Sequence, residues 1–350
     1  MGCARTRTLS DRYDPFRLVR GLKTFDSSIQ DAPTAGFPAP RRPAAWGALG
    51  LGAFPMWRSR CLLITPIIML SLGMNGAQEL AITPHTIRVQ PMDPDEKGQW
   101  IMMPGYSELG SPCFSRDGLW VAFDAYKEGY NNGRPEVWIA RHDGTSLKKL
   151  TNGATPRWSP TGKRLLFIRR NDNALNQEPD IYLIRSDGTG EQKLRPGRWP
   201  EWSPDGKQIA FSRGGLPGGG AKVGAEIFIS KADGIGEKVI AQGDCPSWSP
   251  DGKKIACCFR EGDNRPKIRV VDLQTNETKT LGIGWFRANW MPDGKALVAS
   301  GIIAGRAMVK LSVERPGEPP RQLFSQFEDP SSPCPSPDGQ SLVFIARPSR

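Results

Sequence analysis

The chain has 350 residues, 39 glycines, 32 prolines, only two histidines and a formal net charge of +11. Its length allows one or two ordinary domains, and its content of Gly and Pro indicates a chain with many turns. The basic surplus contains no long run of Lys and Arg, so we interpret it as a solvated surface and predict no nucleic-acid partner.

Residues 1–55 are rich in Arg, Pro, Ala and Gly but show no hydrophobic periodicity. The Pro-rich run from Asp31 to Pro43 is incompatible with a helix or a packed strand. We therefore predict a disordered leader over residues 1–55. If translation starts at Met56, this leader is an upstream extension of the reading frame, and that alternative stays open.

Residues 56–77 are predicted to be a signal peptide. Met56–Arg60 is short and basic, Cys61–Met74 is apolar, and small residues lead to a cleavage site near Ala77, which is the layout of a secretory signal. We therefore expect a periplasmic or secreted protein that can associate with the cell envelope. The apolar run of about 14 residues is shorter than the roughly 20 that span a membrane. A single N-terminal membrane anchor is the alternative.

Seven cysteines occur, at positions 3, 61, 113, 245, 257, 258 and 334, and no two have Cys-x-x-Cys spacing. Cleavage near Ala77 leaves an odd number, so we predict neither a disulfide framework nor a zinc site. Cys257 and Cys258 are neighbours in a strand-like run. We expect them to be small buried residues that point to opposite faces of a sheet.

One short pattern, Trp-Ser-Pro-Asp-Gly-Lys, recurs from residue 114 onward. Its copies, from the clearest to the most degenerate, are Trp202–Lys207, Trp248–Lys253, Trp158–Lys163, Trp290–Lys295, Phe114–Gly118 and Pro335–Gly339. The turn glycines fall at 118, 162, 206, 252, 294 and 339, which is a spacing of 42 to 46 residues. A repeat of this length built from strands indicates the blades of a propeller.

Each residue type in the pattern suits a turn between two strands. Pro presets φ, Asp bonds its own backbone, and Gly adopts the positive φ that ends the turn. Strand-like runs such as Ile209–Phe211 follow each turn, and runs such as Asp180–Ile184 and Gln192–Leu194 complete a four-stranded antiparallel blade. One Asp per turn supplies too few oxygens for calcium, so we expect these carboxylates to be structural.

The sixth repeat stops after its second strand, Ser341–Ala346, whereas Thr86–Gln90 and Gln99–Met102 are two strand-like runs that precede the first repeat. An open ring would leave exposed sheet edges, which favour aggregation. We therefore predict an all-β fold over residues 84–350. It is a six-bladed β-propeller of four-stranded antiparallel blades, and N-terminal strands close its last blade.

Pro200–Phe211 and Pro246–Phe259 resemble the TolB-type, WD40-like propeller repeat, and the resemblance covers about residues 84–350. It implies the propeller fold. Such repeats occur in periplasmic scaffold proteins and in the propeller halves of prolyl-oligopeptidase-like enzymes, so the resemblance by itself leaves both functions open. No segment between residues 77 and 105 is long enough for the α/β domain that precedes the propeller in TolB.

We predict that the protein is not an enzyme and has no catalytic residue, cofactor or metal. Gly105–Gly110 does not match Gly-x-Ser-x-Gly, and we expect His85 and His142 to be exposed turn residues. The Gly-rich run Gly214–Gly220 lacks Gly-Lys-Ser/Thr, so we interpret it as a flexible loop. A propeller-type hydrolase or lyase, or the propeller part of a prolyl-oligopeptidase-like system, is the alternative function.

The predicted function is that of a non-catalytic, exported scaffold that binds a protein or peptide. The connections between second and third strands, 125–135, 171–179, 213–225 and 260–266, differ from repeat to repeat, and variable loops commonly carry function. We therefore expect the partner on this loop face, around the mouth of the channel. The residue before each aromatic should face the channel because side chains alternate along a strand.

These channel positions are Cys113, Arg157, Glu201, Ser247, Asn289 and Cys334. Four of them, Arg157, Glu201, Ser247 and Asn289, are the predicted partner-binding residues. The two charged members have two interpretations that stay open. They contact the partner directly, or they pair with each other and stabilise neighbouring blades.

Overall fold

The computed structural model describes residues 85–93, 96–127, 134–170, 178–215, 224–260, 265–283, 285–302 and 306–347. The predicted leader and signal peptide lie outside these residues. Within the described ranges no helix is long and apolar enough to cross a membrane.

The described residues form strands and turns. In chain order the strands are β1 Thr86–Pro91, β2 Gln99–Ile101, β3 Glu108–Phe114, β4 Trp120–Tyr126, β5 Glu136–Arg141, β6 Lys148–Asn152, β7 Ala154–Trp158, β8 Arg164–Arg169, β9 Asp180–Arg185, β10 Gln192–Pro196, β11 Arg198–Trp202, β12 Gln208–Gly214, β13 Ala225–Lys231, β14 Glu237–Gln242, β15 Asp244–Trp248, β16 Lys254–Arg260, β17 Pro266–Asp272, β18 Thr278–Ile283, β19 Trp285–Trp290, β20 Ala296–Ile302, β21 Arg306–Ser312, β22 Arg321–Leu323, β23 Glu328–Pro335 and β24 Ser341–Arg347.

These strands form six four-stranded antiparallel sheets, so the predicted six-bladed propeller is confirmed. Blades 1 to 5 are the consecutive groups β3–β6, β7–β10, β11–β14, β15–β18 and β19–β22. The sixth sheet has the order β2-β1-β24-β23, in which β1 pairs with β24 from Thr86 opposite Ala346 to Pro91 opposite Ser341.

The first strand of each blade lies at the centre of the ring. These inner strands are β3, β7, β11, β15, β19 and β23; each contacts the next, and β23 contacts β3. We call the end that carries the Ser-Pro-Asp-Gly turns the turn face, and the opposite end the loop face. The inner strands run from the loop face to the turn face.

The turns follow the chemistry expected from their residues. The Ser203 hydroxyl donates a hydrogen bond to Asp205 Oδ1 at 2.6 Å, and the same oxygen accepts one from the Lys207 N–H at 3.0 Å. Gly206 has a φ of 70°, in the left-handed region. Hydrogen bonds from Ser203 and from backbone N–H groups lower the pKa of the Asp205 carboxyl. The turn Asp is therefore engaged within its own turn.

Among the described residues, the buried apolar side chains fall into six clusters, and each cluster joins two neighbouring blades. Successive residues of a second strand belong to different clusters because side chains alternate. Cys257 of β16 packs with blade 3, whereas Cys258 packs with blade 5. The prediction that these two buried cysteines point to opposite faces is confirmed.

A local polar network fastens the segment between β2 and β3 to blade 1. The Tyr106 hydroxyl donates to Glu136 Oε2 at 2.5 Å, Lys149 Nζ donates to Oε1 at 2.7 Å, and Trp138 Nε1 donates to Oε2 at 3.1 Å. Burial raises the pKa of Glu136, but these donors outweigh it and bring the pKa to about 2. Burial and the adjacent Glu136 raise the pKa of Tyr106 to about 12.

Deletion of residues 84–104 should prevent formation of a closed monomeric ring. The deletion removes β1 and β2, so β24 would expose an unpaired edge and its apolar neighbours. Size-exclusion chromatography with light scattering should show aggregates, and the melting temperature should fall. A monomeric variant with unchanged melting would contradict the role assigned to these strands.

Glu136→Gln should lower the stability at pH 7 by about 2 kcal/mol, because the folded carboxylate has a depressed pKa. That contribution is present above the ordinary pKa of 4.5 and is lost as the pH falls from 4.5 towards 2. Urea unfolding at several pH values should show the wild-type and variant curves converging in that window. Glu226 is the second residue of the corresponding strand of blade 3, and Glu226→Gln is the control. If the difference in unfolding free energy between Glu136→Gln and wild type stays constant down to pH 2, the stabilising role assigned to the Glu136 carboxylate is contradicted.

Candidate functional site

The four predicted partner-binding residues lie in inner strands, each one residue before the Trp that ends the strand. Arg157 is in β7, Glu201 in β11, Ser247 in β15 and Asn289 in β19. A turn follows each of these strand ends directly. The four side chains therefore lie near the turn face of the ring.

Arg157 and Glu201 pair with each other across the joint between blades 2 and 3. Arg157 Nε lies 2.9 Å from Glu201 Oε2, and the two side chains are 12% and 25% exposed. Arg157 also donates to the backbone carbonyl of Pro156 at 2.8 Å. Burial raises the pKa of the Glu201 carboxyl, and the neighbouring Arg157 acts against that rise. This geometry supports the interpretation that the pair stabilises neighbouring blades.

The uncharged channel residues also bond to the next blade. Asn289 Nδ2 donates to the Pro333 carbonyl of blade 6 at 2.6 Å. The Ser247 carbonyl accepts a hydrogen bond from Trp290 Nε1 of blade 5 at 3.1 Å. Polar groups at these positions therefore contribute to the joints of the ring as well as to the surface of the channel.

A cavity of about 330 Å³ opens at the turn face, and we call it the turn mouth. It is lined by the aromatic residues that end the inner strands and by the prolines and serines of the turns, and Arg116, Glu201, Ser247 and Asn289 also line it. The apolar ring residues are Phe114, Trp158, Trp202, Trp248, Trp290, Pro160, Pro204, Pro250, Pro292, Pro335 and Pro337.

Three of the four predicted residues thus line a cavity, but it opens at the turn face, whereas the prediction placed the partner on the loop face. The reason is that they are the penultimate residues of strands that run towards the turns. Arg157 lines a smaller cavity deeper in the channel, together with Trp199 and Arg287. The variable loops are only partly within the described residues, so binding on the loop face stays a prediction.

Towards the loop face, side chains cross the channel. The Arg287 guanidinium of blade 5 lies 3.9 Å from the centre of the Trp199 ring of blade 3, and it donates to Ser332 Oγ of blade 6 at 2.9 Å. A cation stacked on an indole ring is favourable, more so when desolvated. Arg287 therefore reaches from blade 5 to blades 3 and 6 across the channel.

Arg287 was missed at the sequence level, although a signal for it exists. In five inner strands a residue with left-handed φ precedes a proline: Ser111, Thr155, Trp199, Cys245 and Ser332. At the matching place, blade 5 has Arg287 followed by Ala288. The departure from the pattern marks the arginine that enters the channel.

The two histidines have different surroundings. His85 is 9% exposed, and its Nδ1 lies 2.9 Å from Glu108 Oε2, so the expectation that it is an exposed turn residue is wrong. The joint between blades 6 and 1 covers it. His142 is half-buried and lines a second cavity on the turn face. No group of three His, Cys, Asp or Glu residues in the described ranges is placed to hold a metal ion.

Comparisons with known proteins support the architecture. A structure described as TolB from Agrobacterium tumefaciens aligns with a TM-score of 0.60 at 17% identity, over 77% of this chain and 100% of that chain. TolB from Acinetobacter baumannii aligns with a TM-score of 0.52 at 18% identity, over 75% of this chain and 63% of that chain. The resemblance to TolB-type propellers is therefore confirmed at the level of the fold.

At the sequence level, no protein-family model matches the chain. An uncharacterized protein of Agrobacterium fabrum is 27% identical over 84 residues, which are 23% of this chain and 27% of that protein. The chain thus spans about a quarter of that relative and less than two thirds of the Acinetobacter baumannii chain.

Arg157→Ala should destabilise the propeller by about 3 kcal/mol, because it leaves the Glu201 carboxylate partly buried without its cation. The double variant Arg157→Ala/Glu201→Ala should lose less unfolding free energy than the two single variants lose in sum. Urea unfolding of all three measures this coupling. Lys207 lies 4.0 Å from Asp205 at an exposed site, so Lys207→Ala is the control and should change stability by less than about 0.5 kcal/mol. Additive losses would contradict a stabilising pair.

Proposed function

We propose that this protein is an exported, non-catalytic propeller scaffold that binds an extended segment of a protein or peptide partner at the turn mouth. The observation that carries the proposal is the composition of that cavity. Aromatic and prolyl side chains from all six blades line it, and serines of the turns, Arg116, Glu201, Ser247 and Asn289 place polar groups among them.

This combination suits an extended peptide. Apolar walls with a few placed polar groups are typical of binding pockets, and aromatic rings with prolines contribute contact area while losing little side-chain entropy. Ser247 and Asn289 also line the cavity, between the aromatic and prolyl side chains. Arg157, Glu201 and Arg287 lie in the channel beyond, which favours a ligand that docks at the mouth over one that threads the ring.

The absence of catalysis and the export are parts of the same proposal. Both histidines have positions that do not favour a general base in the turn mouth: His85 is buried against Glu108, and His142 lies outside the residues of that cavity.

Export rests on the layout of Met56–Glu79. N-terminal sequencing of the exported protein should find a chain that begins near residue 78. A mature chain that retains Met1 in the cytosol would contradict it.

Selection of peptides tests the binding site. Phage carrying random dodecapeptides are enriched on the full-length protein, and the affinity of enriched peptides is measured by fluorescence polarisation. Ser247→Phe fills the turn mouth and should weaken binding at least tenfold. Asn289→Tyr is a second filling variant, and melting curves identify any variant that fails to fold. Arg170→Glu, on the exposed loop face after β8, is the control and should leave binding unchanged.

The outcomes separate the competing sites. Loss of binding in Arg170→Glu but not in the filled variants would place the partner on the loop face and overturn the proposal. Failure of the folded protein to enrich any peptide would count against peptide binding. Mass spectrometry of the bound peptides after incubation should find them intact, and cleavage would indicate the hydrolase alternative.

A further inference from the structure

The rim of the turn mouth is formed by contacts between the turns of neighbouring blades. At five of the six joints, the turn proline of one blade packs against the turn glycine of the next. A methyl group placed on Gly206 would lie 3.7 Å from Pro160 Cδ, and the other four glycines give distances of 3.6 to 3.9 Å. The five pairs are Pro160–Gly206, Pro204–Gly252, Pro250–Gly294, Pro292–Gly339 and Pro337–Gly118.

The joint between blades 1 and 2 lacks this contact. Blade 1 has Arg116 where the other five blades have the proline. A methyl group placed on Gly162 would meet no atom of the described residues within 4 Å. We call the space between Arg116 and Gly162 the rim notch. Arg116 on one side of it and Pro160 on the other both line the turn mouth, so the notch borders that cavity.

Arginine, unlike proline, has a backbone N–H, and this one points into the rim notch. The turn of blade 1 has the same form as the others: the Gly118 N–H donates to the Ser115 carbonyl at 3.0 Å, and the corresponding bond of blade 3 is 2.9 Å. In proline, Cδ is bonded to the backbone nitrogen in the place of the hydrogen. The Arg116 N–H therefore takes the direction of those Cδ atoms, and it has no hydrogen-bond partner among the described residues.

A ligand that covers this N–H has to supply an acceptor, because a donor buried without a partner weakens binding. Beside the notch lie charges of both signs, since Asp117 and Asp338 line the adjoining cavity together with Arg116. A carboxylate would meet these two acids, whereas a main-chain carbonyl has no net charge. An extended segment presents unpaired carbonyls along its length, whereas a helix bonds all but its last four internally.

Building on the proposed function, we propose that a main-chain carbonyl of the partner's extended segment accepts a hydrogen bond from the Arg116 N–H. The segment then crosses the rim of the turn mouth at the notch between blades 1 and 2. The partner class is an extended segment that is recognised there through its backbone, whatever its side chain at that point. One rim position without proline, with an unpaired donor among the described residues, carries the assignment.

Two substitutions at one position separate the backbone from the side chain. Arg116→Pro removes the N–H and the guanidinium, whereas Arg116→Ala removes the guanidinium alone. The fold should accept Arg116→Pro, because it restores the residue of the other five turns and restricts the unfolded chain. Its melting temperature should therefore be at least that of wild type.

The affinity of one enriched dodecapeptide is measured on these full-length variants by fluorescence polarisation. Arg116→Pro should bind it about fivefold more weakly than Arg116→Ala, which is the size of one hydrogen bond. Lys163 is an exposed cation of the same face that lies outside both cavities. Lys163→Gln is therefore the matched control for lost charge, and it should bind as wild type does.

A cycle on the peptide backbone gives the second readout. Versions of the peptide carry a thioamide, a weaker hydrogen-bond acceptor than an amide, at one position at a time. On Arg116→Ala, the thioamide at one position should weaken binding about fivefold. On Arg116→Pro the same change should have no effect, because the donor is absent, and the difference measures the coupling between the two groups.

The results distinguish the inference from the proposed function. If Arg116→Pro and Arg116→Ala bind alike, or if every thioamide acts equally on both, the N–H has no role and the inference is overturned. Binding at the turn mouth still stands in that case, provided that Ser247→Phe and Asn289→Tyr abolish it. If those filled variants bind normally, the proposed function fails, and the inference that rests on it fails as well.

Discussion

Every blade of this propeller buries both faces of its sheet against the blades on either side. Phe123, Phe167, Phe211 and Phe344 are fully buried in second strands, and each belongs to a cluster that joins two blades. Burying one such side chain stabilises a fold by about 1.5–3 kcal/mol. No blade can obtain this stabilisation alone, so the fold depends on a closed ring.

The same constraint explains the residues at the centre. Six inner strands converge around a narrow channel, so a polar side chain there meets the next blade before it meets solvent. Trp202 Nε1 donates to the Arg157 carbonyl at 3.3 Å, in the way that Trp290 donates to Ser247. Arg157 pairs with Glu201 for the same reason. The joints between blades therefore supply hydrogen-bond partners to Arg157, Glu201, Trp202 and Trp290.

The turn mouth arises directly from the repeat. Each blade adds an aromatic or prolyl residue at the end of its inner strand, and five blades add a proline in the turn. Ring closure brings these copies together around one cavity. The blades that depart from the pattern make this ring asymmetric. Arg116 at the rim and Arg287 inside the channel are such departures.

The sequence by itself determined the number and type of blades, because a turn needs Pro, Asp and Gly at fixed places and the spacing of these residues counts the repeats. It also predicted which positions of the inner strands face the channel, since side chains alternate along a strand and the aromatic residue supplies the register. Only the tertiary structure decided that Arg157 meets Glu201, that His85 is buried, and that the cavity opens at the turn face. Those outcomes depend on which residues that are distant in the sequence come into contact, as Arg157 and Glu201 do at 2.9 Å. The closing of the ring determines these contacts.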